Sequence, residues 1–94
     1  MHVTIRRYSG NPELADALVA RESEVRDIIT GIGGFQAYYL IRGTDGDATS
    51  ISVFDSESGG EESSRRAAEW LRQNLPDMSV SPPEVTAGEV VISF

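Results

Sequence analysis

The sequence predicts a single α+β domain of order β-α-β-β-α-β, in which two helices cover one face of a four-stranded antiparallel sheet. Three observations predict it. A segment near the start alternates apolar and polar residues and one near the end is β-prone; two segments carry apolar residues at helical spacing; and between the helices lie two β-prone runs separated by a Gly/Asp turn. This order is the ferredoxin-like arrangement, assigned to residues 1–94 as one domain.

The first strand is "HVTIRRY" (His2–Tyr8). Val3 and Ile5 alternate with His2, Thr4, Arg6 and Tyr8. "SGNPE" stops it: Asn11 is a suitable N-cap, Pro12 fits a first helical position, and Glu13 suits the positive end of a helix. Leu14, Leu18, Val25, Ile28 and Ile29 then recur on one face, predicting one helix that ends near Thr30. "FQAYYLIRG" (Phe35–Gly43) and "ATSISVFD" (Ala48–Asp55) form a hairpin across "GTDGD". In "SESGGEESSRRAAEWLRQNLP", Ala67, Leu71 and Leu75 define a second helix closed by Pro76. Ser58 is read as its cap, Gly59–Gly60 as a relaxed turn, and Glu61 and Glu62 as charges near its N-terminus. "EVTAGEVVISF" supplies the fourth strand, with a break expected near Gly88.

Composition excludes several classes of function. The net charge is -7 and the eight basic residues, all Arg, are scattered, so nucleic acid is not an expected partner. No apolar run approaches the ~20 residues of a membrane span, no signal-peptide core is visible, and a cytoplasmic location is the default. Without cysteine there is no thiolate chemistry, and a single His cannot build a multi-His metal site; no metal and no cofactor are expected. Gly59-Gly60-Glu61-Glu62 approaches the Gly-Gly-(Asp/Glu)-Glu-Phe signature of cyclic-dinucleotide synthases, but Ser63 stands where that signature has Phe, and the segment joins a strand to a helix.

The sets containing Ala37 and Ile51 are taken to face the helices. The uncovered face then carries Tyr8, Tyr38, Leu40 and Phe54 among polar groups, and predicts a homodimer formed through that face around a partly polar cavity. The ligand-pocket candidates are Arg6, Tyr8, Tyr38, Ser52 and Phe54 from the strands and Trp70 from the second helix. His2, the one side chain that titrates near neutrality unaided, is discounted because chain ends fray. No catalytic residue is assigned.

"GGFQAYYLIRGTDGDATSISVFDSESGGEESSRRAAEWLRQNLP" resembles the antibiotic-biosynthesis-monooxygenase-like superfamily of dimeric α/β-barrel proteins. The resemblance rests on Gly-Phe opening the second strand, the Gly/Asp hairpin, the aromatic residue ending the third strand, and the Ala- and Trp-bearing second helix. "AYYLI", "SVFDS" and "AAEWLRQNLP" are similar to its small uncharacterised bacterial members. The resemblance implies a dimer, a pocket between sheet and helices, and a small, aromatic type of ligand or a purely structural role. Cofactor-independent oxygenation is one alternative, and pairing without a ligand another. Haem degraders of the superfamily use an Asn on the first strand, a Trp ending the third and a His on the next helix. This chain has Phe54 at the Trp position, no Asn on the first strand and no His on the helix after the third, which argues against haem degradation.

Overall fold

The computed structural model describes residues 1–94. The chain runs β1 (His2–Tyr8), α1 (Leu14–Ala20), α2 (Glu22–Thr30), β2 (Phe35–Arg42), β3 (Ala48–Phe54), α3 (Glu57–Asn74), a 3-10 turn (Pro76–Met78) and β4 (Glu84–Glu89). The sheet order is β2-β3-β1-β4, and every neighbouring pair is antiparallel. This is the ferredoxin-like arrangement expected from the sequence.

Two local readings change. The first helix is broken at Arg21, whose φ of -117° and ψ of 30° leave the α region and start α2. No glycine or proline marks the break. It coincides with a tertiary contact, in which the Arg21 guanidinium lies 5.9 Å from the Trp70 ring centroid and donates to Asn74 Oδ1. Asn11 does not cap α1; its Nδ2 donates to the Met78 carbonyl and ties the chain before α1 to the 3-10 turn. The β4 strand ends at Glu89, next to the break expected near Gly88, so the last five residues are not strand; Gly88 itself still pairs with Val3.

The glycine pair also has a different role from the relaxed turn expected of it. Gly59 and Gly60 lie inside the first turns of α3, and both are buried. A Cβ on Gly59 would stand 2.8 Å from the Phe54 ring, and one on Gly60 would stand 2.4 Å from Thr4 Oγ1. The helix backbone therefore rests directly on the sheet, a close approach only glycine permits. Glu62, two residues on, pairs with Arg65 and Arg66 along the exposed side of α3, the i,i+3 and i,i+4 pattern of a solvated helix.

The largest correction concerns the faces of the sheet. Cross-strand partners share a face. The rows Leu40–Ser50–Arg6–Val85, Tyr38–Ser52–Thr4–Ala87 and Phe35–Phe54–His2 run across the sheet on the side of the helices. Thr4, Arg6, Tyr8, Ser50, Ser52 and Phe54 are all buried there. The uncovered side carries Ala37–Val53–Val3 and Tyr39–Ile51–Ile5–Thr86, with Ile41–Thr49–Arg7–Glu84 along the hairpin end. The assignment from sequence is thus inverted. Polar residues of β1 and β3 point inward because they build one buried polar site, and the apolar set is left outside.

Candidate functional site

The site is built around Arg6. Its side chain is 2% exposed, and it is the one charged residue among the buried polar residues. Antiparallel pairing places Ser50 beside it on β3, and Ser52 two residues farther along the same face. α3 crosses above, held close by Gly59 and Gly60, and brings Ser63 and Ser64 over the sheet. Arg6 Nε donates to Ser50 Oγ at 3.1 Å, Nη1 to Ser63 Oγ at 3.0 Å and to Ser64 Oγ at 3.1 Å, and Nη2 to Ser52 Oγ at 3.1 Å. Ser63 donates its own O–H to the Gly60 carbonyl at 2.7 Å, which orients its oxygen as an acceptor. Four hydroxyls from two elements thus fix a planar guanidinium between sheet and helix.

Every partner is neutral. Six other arginines, Arg7, Arg21, Arg26, Arg42, Arg65 and Arg66, form ion pairs with carboxylates at the surface. Arg6 is in none of these pairs, in a chain with fifteen carboxylates.

Arg6 lines a small cavity of about 40 Å³ with Tyr8, Tyr38, Ser50, Trp70 and Leu71; its remaining walls are apolar side chains of α1, α2 and α3. That is room for about three or four waters at ~10–15 Å³ each. A wider cleft of about 580 Å³ adjoins it, sharing Leu18, Val25, Ile29 and Tyr38 and extending to Phe35 and Leu40. A second depression of about 630 Å³ reaches Arg6 and Tyr8 from the side of β4 and the Pro76–Pro83 segment.

Burial raises the Tyr8 phenol above its ordinary pKa, against the opposing charge and hydrogen bonding of Arg6. Burial raises Tyr38 as well, against the Arg6 charge and the Ser50 hydroxyl. Both phenols are neutral at physiological pH, so each keeps an O–H that it can offer to a ligand.

The candidates from sequence therefore separate. Arg6, Tyr8, Tyr38 and Trp70 meet at one cavity, on the helix side of the sheet rather than the uncovered side. Ser52 supports Arg6 from beneath. Phe54 does not reach the cavity: it is fully buried, edge-to-face with Phe35 at 6.0 Å and packed with Ile29 and Ile32. His2 sits at the other end of β1, against Gly60. Ser63 and Ser64 were missed. Their signal was the phase of α3, which puts them one helical turn before Ala67, a predicted face residue. No group of three or more His, Asp or Glu side chains is brought together to hold a metal.

The chain matches no family model and no curated protein. Solved structures share its fold closely. A protein of unknown function from Nitrosomonas europaea, NE2512, superposes with a TM-score of 0.74 at 17% identity, over 99% of this chain and 91% of that one. SnoaB, a cofactor-independent oxygenase from Streptomyces nogalater, gives 0.66 at 16% identity over 98% and 94%. The ActVA-Orf6 monooxygenase of Streptomyces coelicolor, solved with nanaomycin D, gives 0.66 at 22% identity over 98% and 92%. At these identities the likeness is one of fold, and it is the fold that the resemblance to antibiotic-biosynthesis-monooxygenase-like proteins implied.

Proposed function

We propose that this chain is a small-molecule-binding protein that works as a homodimer. The observation that carries the binding reading is the cleft between α2 and the sheet: an apolar trough of about 580 Å³ leading to a cavity whose polar groups are held in place by hydrogen bonds. Leu18, Val25, Ile29, Phe35 and Leu40 suit an apolar body, and Tyr38 stands at the junction. Binding is preferred to oxygenation as the reading because the cavity around Arg6 contains neither imidazole nor carboxylate to remove a proton, and the carboxylate of the wider cleft, Glu22, is exposed and paired with Arg26. Trp70, the single tryptophan, lines the cavity and reports on occupancy. A panel of aromatic and aliphatic ligands should quench or shift its emission, and Val25→Phe, which crowds the junction of trough and cavity, should weaken that response at least tenfold. Ligands that bind Val25→Phe as tightly as the parent chain would place the site elsewhere.

Dimerisation is supported by the uncovered sheet face. Only 17 of 94 residues are buried, a thin core for an isolated chain. Val3, Ile5, Tyr39, Ile41, Ile51 and Val53 stand together on the open side, with Tyr39 59% exposed and Ile41 44% exposed. A second copy stacked on this face would bury a patch that a monomer leaves in water.

A further inference from the structure

We infer that the ligand carries a single oxyanion, a carboxylate or an ionised enol or phenol, and that Arg6 receives it. The inference rests on the reading of the cleft as a ligand site and adds the chemical class of its occupant.

A guanidinium stays ionised in a protein. Burying that charge with no counter-charge is costly, and a fold normally offsets the cost with a carboxylate. Here the offset comes from four serine hydroxyls, whose dipoles replace water but leave the full positive charge in place. A guanidinium has five N–H bonds; those to Ser50, Ser52, Ser63 and Ser64 use four of them, and the other side chain it reaches, the Tyr8 phenol, is likewise neutral. The arginines that carry carboxylate partners lie at the surface, whereas the buried one that lines the cavity has none. This is an arrangement in which an incoming ligand supplies the missing charge.

The rest of the cavity narrows the class. At about 40 Å³ it admits a headgroup of a few atoms and not a ring system. Arg6 is the only cation in its lining, so a dianion such as a phosphate monoester would bring in one charge without a partner. Tyr8 and Tyr38, both neutral donors, add hydrogen bonds to an oxyanion and would offer less to an uncharged apolar group. The apolar remainder of the ligand lies outward along Leu18, Val25 and Ile29.

The probe pair is 2-naphthoate and its neutral isostere 2-naphthamide, titrated calorimetrically into the full chain at neutral pH. The expected result is that naphthoate binds at least tenfold more tightly. Arg6→Met should erase that preference while naphthamide binding persists, and Arg42→Met, at an exposed arginine that lines none of these clefts, should leave it intact. Arg6→Lys keeps the charge and should keep part of the preference, so the assignment stays testable if Arg6→Met does not fold. Equal affinities in the parent chain overturn the inference and leave the cleft as a neutral-ligand site. A preference that survives in Arg6→Met overturns the role of Arg6. Failure of both probes, together with a silent Trp70 across the wider panel, overturns the cleft reading and the inference with it.

Discussion

Arg6, Tyr8 and Tyr38 form a group in which each side chain alters the chemistry of the others. The two phenols are pushed up by burial and pulled back by the Arg6 charge, with burial the larger effect for both. A phenol whose folded pKa lies above its unfolded value of ~10 contributes stability that is complete below that pH and is lost as pH rises through the folded value. Urea unfolding should therefore show stability nearly flat up to about pH 9 and falling above about pH 10. Tyr38→Phe removes one of the two ionisations and should flatten part of that fall; an unchanged alkaline slope would mean that Tyr38 does not contribute to it. The same residues show what sequence could reveal. Arg6, Tyr8, Tyr38 and Trp70 were legible as a group because they are large, amphipathic and in phase with one another. The serine cradle was not, because a serine on a strand or helix ordinarily signals water, and here it signals a charge held away from water.

At the level of elements, order and type followed from periodicity, since 3.6-residue and 2-residue repeats are set by backbone geometry and survive any choice of partner. The facing of the sheet did not. β3, "ATSISVF", alternates small polar with branched apolar residues, and the ordinary reading puts Ile51 and Val53 inside. Phe54 and Ala48, in phase with the serines and fully buried, were the contrary signal. The glycine pair in α3 provides a test in which local propensity and packing predict opposite signs. By helix propensity alone, Gly60→Ala should stabilise by ~1 kcal/mol. With a Cβ placed 2.4 Å from Thr4 Oγ1 and 3.1 Å from His2 Cδ2, the variant should instead lose about 1–3 kcal/mol. Denaturant midpoints at constant m-value decide between them, and a stabilised variant would refute the close-contact account.

The whole molecule has two unequal apolar surfaces, one roofed by helices around a charge and one left open. The open one is the place to intervene without touching the cavity. Tyr39→Glu sits on the far side of β2 from Tyr38, so it should convert a dimer to a monomer in sedimentation at micromolar concentration while leaving the Trp70 environment unchanged. A parent chain that sediments as a monomer would remove the basis for pairing through this face. No helix is long and apolar enough to cross a membrane.

The seam between α3 and the sheet acts as a gasket. α3 has eighteen residues, about 27 Å of rod at 1.5 Å per residue, and the glycines lie at one end of it. Ser63 and Ser64, one turn farther on, close over the guanidinium. A methyl wedge under the glycines would lever that turn upward and admit water beside the charge. Attraction between Arg6 and an anion scales inversely with the local dielectric constant, so wetting the site would weaken it even though neither glycine lines the cavity. The spacing of two backbones thus sets how strongly a distant positive charge can act.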